Sequence, residues 1–340
     1  MTNLQGKAWT YSSTKGGFIE NLRLTKYDVP SLKNDHILIE VLNASLNPGD
    51  YKMPDVPIVG WLIKRPASPC FDFCGRIRAL PRNFINDSRN LHVGQIVFGM
   101  HRDTKSMGTL KTIMWVHKDT VYPLPDSIPV EQGSALGVAA LTAYQAIAPY
   151  AKPKGKILVN GSTGGVGTFC IQVAKALDMH VIATCSEAGV QLCKDLGADE
   201  ILDYRSPTFH DDLSRTRVDL VIDNVGNDPQ LHRHSKAFLK PDGQFVLVAL
   251  MAEDWAGIWS MLVSWMCPAW LGGPSRKWKS IFTSSAISDL ESLASIAREG
   301  KLRVVVDTVF PFTDAPKAFE RLKSGRAKGK IIVDVSSHDR

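Results

Sequence analysis

The run from residue 157 to residue 167, Ile-Leu-Val-Asn-Gly-Ser-Thr-Gly-Gly-Val-Gly, joins an apolar segment to closely spaced glycines. The apolar residues predict a buried strand over Lys156–Asn160, and the residues of 168–179 predict the helix after the loop. Glycines let the backbone turn tightly and approach a ligand, while the start of a helix offers N–H groups and partial positive charge. The pattern therefore predicts a loop that binds the pyrophosphate of a dinucleotide. The residues expected to contact it are Gly161, Ser162, Thr163, Gly164, Gly165, Val166 and Gly167.

The end of the next predicted strand, Val181–Thr184, indicates which dinucleotide this would be. Sites for NAD place a carboxylate there to bind the ribose 2′-hydroxyl. This chain has Cys185 and Ser186 instead, and Glu187 comes later. Ser186, with Tyr204 and the arginine that follows it, could bind a 2′-phosphate, so the sequence favours NADPH.

The elements around this loop change character along the chain. Residues 1–120 alternate short apolar runs with turn residues, which is typical of β-structure. After Pro129 a helix is predicted over 130–148, and strands then alternate with helices, which indicates a parallel, doubly wound sheet. We expect an α/β protein with a β-rich domain at 1–125, a Rossmann NADPH-binding domain at 126–283, and a segment at 284–340 that rejoins the first domain.

Composition excludes some classes of function and location. The 340 residues include 40 Lys and Arg against 34 Asp and Glu, a net charge of +6, with no long basic run. A nucleic-acid partner is therefore not expected. The N-terminal residues form no apolar secretory segment, and a chain of this length can bury a core without disulfides. The six cysteines are expected to be thiols in a cytoplasmic protein.

A tryptophan-rich, uncharged stretch at 255–273 is interrupted by Pro268 and by glycines. Three interpretations stay open: a buried helix or subunit contact, a lid over an apolar substrate, and peripheral contact with a membrane. The chain could accordingly be a monomer or a homodimer.

The sequence resembles the medium-chain dehydrogenase/reductase superfamily, in particular its zinc-independent quinone-oxidoreductase and enoyl-reductase branch, over nearly its whole length. The resemblance implies a GroES-like domain followed by a Rossmann domain, with the cofactor in the cleft between them. The motifs that carry it are Asn47-Pro48-Gly49-Asp50-Tyr51-Lys52, Asp72-Phe73-Cys74-Gly75, Val93-Gly94-Gln95-Ile96-Val97-Phe98-Gly99, Leu141-Thr142-Ala143, Gly161–Gly167, Leu196-Gly197-Ala198-Asp199, Asp223-Asn224-Val225-Gly226 and Gly329-Lys330.

Zinc members of this superfamily bind their catalytic metal with Cys, His and Cys. The matching positions here are Asn47, Phe71 and Val138, none of which suits Zn²⁺. Cys70 and Cys74 are only a pair and are interpreted as buried apolar side chains. No metal is expected.

The reaction expected without a metal is hydride transfer from NADPH to a conjugated C=C of an α,β-unsaturated carbonyl compound, or to a quinone. Charge then delocalises into an enolate or hydroquinone, and a donor near the oxygen stabilises it. Asn47, Tyr51 and Lys52 are the candidate catalytic residues, although Tyr51 could simply pack and Lys52 could be solvated. By resemblance, further cofactor contacts are expected from Thr142, Asn224, Val225 and Lys330.

The expected substrate is bulky and apolar, because Trp61 lies in a Pro-containing run where the substrate entrance should be. Trp255 and Trp259 would add further apolar wall. Two alternatives are kept: a reductase acting in trans on a substrate tethered to a carrier domain, and a non-catalytic nucleotide-binding or membrane-associated protein.

Overall fold

The computed structural model describes residues 4–30, 34–56, 59–81, 84–85, 88–101, 108–226, 231–232, 234–248 and 276–339. Contacts divide the chain into two compact units. Unit 1 comprises Met1–Leu141 and Ser284–Arg340, and unit 2 comprises Thr142–Thr283. The C-terminal segment thus belongs to the same unit as the N-terminal residues. The sequence places the first boundary at residue 126, ahead of the division between Leu141 and Thr142.

Unit 1 is built around a mainly antiparallel sheet. Its strands are β1 (Gln5–Thr10), β2 (Arg23–Asp28), β3 (His36–Ser45), β4 (Asp72–Ala79), β5 (Ile96–Met100), β6 (Ile113–His117), β7 (Val121–Pro123), β14 (Val306–Pro311) and β15 (Lys330–Asp334). The sheet order is β14-β15-β3-β4-β5-β7, with β6 also paired to β3 and only β14 and β15 parallel. β1 and β2 pair separately.

Short helices complete unit 1. They are α1 (Pro48–Lys52), α2 (Val59–Leu62), α7 (Ile287–Arg298) and α8 (Ala315–Lys323). Alternate residues of β3 and β4 are apolar and fully buried, including Ile39, Phe73 and Ile77. Phe319 of α8 packs edge-on to Phe18, with ring centroids 5.1 Å apart. The strands and the C-terminal helix therefore share one core, which fixes the position of β15 beside β3.

Unit 2 is a parallel sheet with helices between its strands. The strands are β8 (Lys156–Asn160), β9 (His180–Cys185), β10 (Glu200–Asp203), β11 (Val218–Asp223), β12 (Leu239–Leu247) and β13 (Trp278–Ser280). Their order is β10-β9-β8-β11-β12-β13, and every pair is parallel. The helices are α3 (Val138–Ile147, which begins in unit 1), α4 (Gly165–Ala176), α5 (Val190–Asp195) and α6 (Phe209–Arg215). The predicted alternation of parallel strands and helices is confirmed.

The helix predicted over 130–148 is wrong as a single element. The structure has a 3₁₀ helix at Val130–Leu136, and α3 begins only at Val138. Between them Gly137 has a ψ of −117°, and a Cβ there would lie 2.4 Å from Oδ1 of Asp72. That same oxygen accepts a hydrogen bond from the backbone N–H of Val138 at 2.5 Å. The break is therefore imposed by a carboxylate on β4, which local sequence does not reveal.

Candidate functional site

The glycine loop of unit 2 connects the end of β8 to the start of α4. Gly161 has a φ of +72°, and a Cβ on it would lie 2.7 Å from a methyl carbon of Val225. A Cβ on Gly167 would lie 2.1 Å from the carbonyl oxygen of Gly161. Both positions require glycine because the helix packs directly on the loop and on the end of β11. The structure thus brings the loop beside Val225, as a common cofactor site requires.

Gly164 leaves space where the other two glycines do not. It is the N-cap residue of α4 in an extended conformation, and the nearest atom to a Cβ built there is 3.6 Å away. The first N–H groups of a helix have no acceptor within the helix, so they point at this space with the positive end of the helix dipole. A Cβ at Gly164 would have room, and we call this space at the start of α4 the cradle; a helix start is a place where a pyrophosphate can bind.

The side chain of Ser162 is hydrogen-bonded within the protein. It is fully buried, its hydroxyl donates to the carbonyl of Val159 at 2.7 Å, and its N–H donates to the carbonyl of Thr184 at 3.2 Å. Thr163, Gly165 and Val166 are half-buried. Ser162 therefore fixes the loop, and a direct contact with a cofactor stays a prediction for each of these residues.

Polar side chains tie the carboxyl ends of three neighbouring strands together. The amide of Asn160 donates to Asp223 at 2.9 Å and accepts from the hydroxyl of Thr184 at 2.6 Å. Asn224 donates to the carbonyl of Asn160 at 2.9 Å. Asp223 also accepts from the N–H of Val225 at 3.0 Å. Ligands of doubly wound sheets bind at this edge, and the network holds Asn224 and Val225 there.

The end of β9 carries no carboxylate of its own. Cys185 is buried, Ser186 is half-buried, and Asp203 of β10 pairs in register with Cys185. The carboxylate of Asp203 accepts from the N–H of Arg205 at 2.9 Å. Arg205 lies over the exposed ring of Tyr204, with Cζ 5.6 Å from its centroid.

Thr142 is the predicted cofactor contact that lies on α3. It is 3% exposed, and its hydroxyl shares a hydrogen bond with that of Thr283. Both residues belong to unit 2. The contact with a nicotinamide stays a prediction.

In unit 1, Asn47, Asp72 and Lys330 form a buried polar cluster. The amide of Asn47 donates to Asp72 Oδ2 at 2.8 Å, and its oxygen accepts from the ammonium of Lys330 at 2.7 Å. That ammonium also donates to the carbonyl of Leu46 at 2.8 Å and lies 3.4 Å from Asp72 Oδ2. Lys330 is only 2% exposed. The predicted contact of Lys330 with cofactor phosphates stays a prediction, and what the structure shows is an ammonium surrounded by acceptors of unit 1.

Asp72 is a central residue of this cluster that sequence reasoning did not assign. It is fully buried, and its Oδ2 also accepts from the hydroxyl of Ser45 at 2.7 Å. A carboxylate at the start of the otherwise apolar strand Asp72-Phe73-Cys74 was the available signal, because a buried acid requires donors around it.

Asp50 lies on α1 and is 4% exposed. Its Oδ2 accepts from the N–H of Asn47 at 2.6 Å, which caps the helix, while Oδ1 has no hydrogen-bond partner among the described residues. Burial raises the pKa of Asp50 well above its usual range, and the nearby carboxylate of Asp72 raises it further. The N–H of Asn47 and the ammonium of Lys330 oppose the shift without cancelling it. Burial thus disfavours the ionised form of Asp50, and one of its oxygens is unused among the described residues.

The other candidates of the first motif lie beside the core. Tyr51 is half-buried against the hydrophobic core of unit 1. The ammonium groups of Lys52 and Lys323 lie 5.9 and 5.8 Å from the centroid of its ring. Packing is thus the observed role of Tyr51, and its catalytic role, like that of Lys52, stays a prediction.

The predicted apolar substrate wall is not assembled by the described residues. Trp61 is 85% exposed on α2, and Trp255 and Trp259 lie outside the described residues. A cavity of about 30 Å³ instead lies in unit 1, lined by Tyr11, Asp50, Met53, Ser68, Cys70 and Phe71 among others. We call it the Asp50 cavity.

The positions matched to zinc ligands do not form a metal site. Phe71 and Val138 have no donor atom in their side chains, and the amide of Asn47 is bonded to Asp72 and Lys330. Within the described ranges, no group of three or more His, Cys, Asp or Glu side chains is placed to hold a metal ion. Burial raises the pKa of Cys74 to about 12, so it is not a thiolate.

Two family models match the chain: "Alcohol dehydrogenase GroES-like domain" over residues 33–126 and "Zinc-binding dehydrogenase" over residues 196–333. A trans-enoyl reductase of Aspergillus terreus, pgmF, is 35% identical over 97% of this chain and 96% of its own length. The chain belongs to the medium-chain dehydrogenase/reductase superfamily. Both the predicted family and the predicted fold class, a GroES-like domain with a Rossmann domain, are confirmed.

Other members of the superfamily agree. The human mitochondrial NAD(P)H oxidoreductase RTN4IP1 is 31% identical over 67% of this chain and 61% of its own length. The structure of a quinone oxidoreductase from Coxiella burnetii covers 98% of this chain and 100% of its own, with a TM-score of 0.83 and 27% identity. The chain is an oxidoreductase of the medium-chain type, with a nicotinamide cofactor and a small-molecule substrate. None of the helices described is both long and apolar enough to cross a membrane.

Proposed function

We propose that the chain is an NADPH-dependent, metal-independent reductase of a conjugated C=C in an α,β-unsaturated carbonyl compound, or of a quinone. The cradle at Gly164, between β8 and α4, is the observation that carries the proposal. When bound, NADPH supplies the hydride. The protein's part is to hold the pyrophosphate at the start of α4 and to present polar groups to the oxygen on which charge develops.

The preference for NADPH is supported by the end of β9. With Cys185 and Ser186 at that end, no carboxylate on that strand would repel a 2′-phosphate or bind a 2′-hydroxyl. The hydroxyl of Ser186 and the guanidinium of Arg205 are the groups proposed to bind the 2′-phosphate. Arg205 is exposed and stacked on Tyr204, so it can approach a ligand.

A conjugated acceptor is supported by the chemistry at the positions matched to metal ligands. Asn47, Phe71 and Val138 do not supply the thiolates and imidazole that Zn²⁺ requires. Stabilisation of the developing oxyanion must then come from hydrogen bonds and from delocalisation into the acceptor. An enone or a quinone provides that delocalisation, whereas an isolated ketone does not.

The first experiment titrates NADPH and NADH by protein fluorescence and then follows oxidation of the reduced nicotinamide with a quinone and a panel of enones. We expect tighter binding of NADPH and its consumption with an enone or quinone. Binding without consumption by any free acceptor would support either a carrier-tethered substrate or the non-catalytic alternative. Absence of binding by either nucleotide would refute the cofactor site.

The choice of cofactor is tested separately with Ser186→Asp, using Ser186→Ala as its matched control. The new carboxylate would repel a 2′-phosphate and offer an acceptor to a 2′-hydroxyl, so the preference should move towards NADH. Ser186→Ala should weaken NADPH binding only modestly, by about one neutral hydrogen bond or ~1 kcal/mol. An unchanged NADPH preference in Ser186→Asp would show that another residue selects the cofactor.

A second candidate, reduction in trans of a substrate tethered to a carrier domain, is favoured by the likeness to the trans-enoyl reductase of Aspergillus terreus. The two candidates differ in the substrate they need. An enoyl group presented on a carrier domain and the same group on a small thiol should be compared by kcat/KM. A large preference for the carrier-bound form would establish action in trans.

A bulky apolar substrate is also proposed, on the exposed Trp61. Trp61→Ala should raise KM for large enones more than for small quinones. Equal effects on the KM for large enones and for small quinones would show that Trp61 does not recognise the bulk of the substrate.

A further inference from the structure

Two side chains assigned from the sequence, Asn47 as a candidate donor to substrate and Lys330 of β15 as a cofactor contact, are already occupied within unit 1. The amide of Asn47 donates to Asp72, and the ammonium of Lys330 donates to Asn47 and to the carbonyl of Leu46. Moving either group towards a ligand would leave a buried carboxylate or carbonyl without its donor. Such a loss is unfavourable for a neutral group and more so for a charged one. These residues are therefore poor donors to a substrate.

Asp50 differs because one of its carboxyl oxygens is not used. Oδ2 is held by the N–H of Asn47 at 2.6 Å, and Oδ1 is buried without a hydrogen-bond partner in the described part of the chain. Asp50 also lines the Asp50 cavity. A buried polar atom without a partner is uncommon in folded proteins and points to a missing ligand or water.

The size of the cavity limits what can enter. Its volume of about 30 Å³ holds one or two atoms larger than hydrogen, since a single water needs roughly 10–15 Å³. A small polar group such as a carbonyl can fit, whereas a phosphate or a sugar cannot. Met53, Ala67 and Phe71 make much of the lining apolar.

The charged groups in the cavity lining further limit which ligands can bind. Among the residues described, its lining includes no Lys, Arg or His, and Asp50 is its one acidic side chain. The guanidinium of Arg65 lies outside it, over the ring of Tyr11 at 5.7 Å, and donates to the carbonyl of Pro54. An anion would find no cation in the lining, and a cation would require Asp50 to ionise, which burial opposes. A neutral acceptor is the ligand that a neutral carboxyl group can bind.

We propose that the Asp50 cavity binds the oxygen of a neutral carbonyl compound, with the Oδ1 hydroxyl of Asp50 as the donor. This assignment rests on the proposed function, because the carbonyl of an enone substrate is the group it would recognise. It replaces Asn47 with Asp50 as the donor in the α1 motif. Tyr11, whose side chain carries a hydroxyl donor, belongs to the same lining, and a carbonyl oxygen has a second lone pair for such a donor.

The test uses the full chain labelled with ¹³C at the methionine methyl groups, because Met53 lines the cavity and reports on it directly. Met53→Leu assigns the signal. The probes are 2-cyclohexenone, cyclohexanone and methylenecyclohexane, which keep similar shapes but differ in conjugation and in the presence of oxygen. Only the exocyclic C=O or C=CH2 group of each probe is small enough to enter the cavity. Binding is followed by the shift of the Met53 signal, and the carbonyl stretch of the bound ketone is followed by difference infrared spectroscopy.

Both oxygen-containing probes should shift the Met53 signal in a saturable way, and the bound carbonyl stretch should move to lower frequency. Asp50→Asn keeps a donor at this position and should retain binding. Asp50→Leu, which has no donor, should bind both ketones about tenfold more weakly than the wild type does. Ala67→Leu fills the cavity while keeping Asp50, so it should also abolish the shift of the Met53 signal. It replaces Asp50→Leu in the test if that variant does not fold.

Two results would overturn the assignment. One is an equal response to methylenecyclohexane, which would mean an apolar cavity. The other is no response of Met53 while an enone is still turned over, which would place the carbonyl elsewhere. A ketone-dependent shift without oxidation of NADPH by any free enone, carrier-bound enone or quinone would support the carbonyl site and would reject the proposed reductase, so the two failures are distinguishable.

Discussion

Asp72 and Asp50 stand close to Asn47, and their surroundings give the two carboxyl groups different tasks. Asp72 is fully buried and accepts from Ser45, Asn47, Lys330 and the backbone of Val138. Asp50 receives one backbone hydrogen bond and keeps an oxygen unused. Asp72 thereby holds β3, β4, β15 and the backbone at Val138 in one arrangement within unit 1, whereas one oxygen of Asp50 has no partner among the described residues.

The role of the Asp72–Lys330 pair is tested by removing one partner at a time. Lys330→Met should lower the free energy of unfolding by about 3–5 kcal/mol, because it leaves a buried carboxylate without its cation. The double variant Asp72→Asn/Lys330→Met should lose less unfolding free energy than the sum of the losses in the single variants Asp72→Asn and Lys330→Met. Urea unfolding measures both, and Lys323→Met, at an exposed lysine, is the matched control. Strict additivity of the two single effects would show that the pair is not energetically coupled.

The raised pKa of Asp50 predicts how stability depends on pH. The folded state holds the proton more tightly than the unfolded state, where the ordinary value is 3.8. The resulting stabilisation is complete below that value and is lost as the pH rises towards the raised pKa. Relative to Asp50→Asn, the wild type should therefore become less stable as the pH rises above about 4.

Thermal unfolding across the pH range measures this difference, with Asp126→Asn at an exposed aspartate as control. If the stability of the wild type relative to Asp50→Asn did not change with pH, or increased as the pH rose, Asp50 would be ionised in the folded protein. That result would also remove the donor proposed for the Asp50 cavity.

At the level of elements, the junction of β8 and α4 follows from sequence because all its determinants are local. Glycines at fixed spacing, an apolar strand before them and a helix after them are sufficient. The helix predicted over 130–148 failed for the opposite reason. Its break at Gly137 depends on the carboxylate of Asp72, and small apolar residues on both sides give no local sign of it.

The glycines of this junction should respond differently to alanine. Gly164→Ala has room for its Cβ, 3.6 Å from the nearest atom, so the fold should keep its stability within about 1 kcal/mol. The same methyl group would occupy the cradle, so NADPH affinity should fall at least about tenfold. Gly167→Ala, with a Cβ 2.1 Å from a carbonyl oxygen, should lose stability and binding together.

Thermal unfolding and fluorescence titration of both variants separate these effects. Wild-type NADPH affinity in Gly164→Ala would mean that the cofactor phosphates do not sit over the start of α4.

At the level of the whole molecule, sequence predicted the parts whose signals are local or repeated along the chain. The fold class and the family could be inferred from the order of motifs. The buried cluster of unit 1 could not, because Asn47, Asp72 and Lys330 are far apart in sequence and only the folding of β15 beside β3 brings them together. The Asp50 cavity was missed because its lining includes the residue after β1, residues of α1 and of the turn that follows it, and the segment before β4.

The division into two units predicts how the buried thiols are protected. Burial raises the pKa of Cys170 to about 12 and is the main cause of a similar rise for Cys193, both in unit 2. Burial likewise raises the pKa of Cys70 and Cys74 in unit 1. Alkylation of any of them therefore requires opening of its unit. NADPH at about 100 times its Kd stabilises the form that binds it by about 2.7 kcal/mol.

Since the proposed cradle belongs entirely to unit 2, NADPH should slow alkylation of Cys170 and Cys193 by up to about 100-fold. Alkylation of Cys70 and Cys74 should change little if unit 1 opens by itself. Pulsed reaction with iodoacetamide, read by mass spectrometry of peptides, measures each thiol separately, and NADH provides the comparison for cofactor preference. Equal protection of all four thiols would mean that the two units open as one cooperative structure. If NADPH protected none of them, the proposal that the cofactor binds to unit 2 would be wrong.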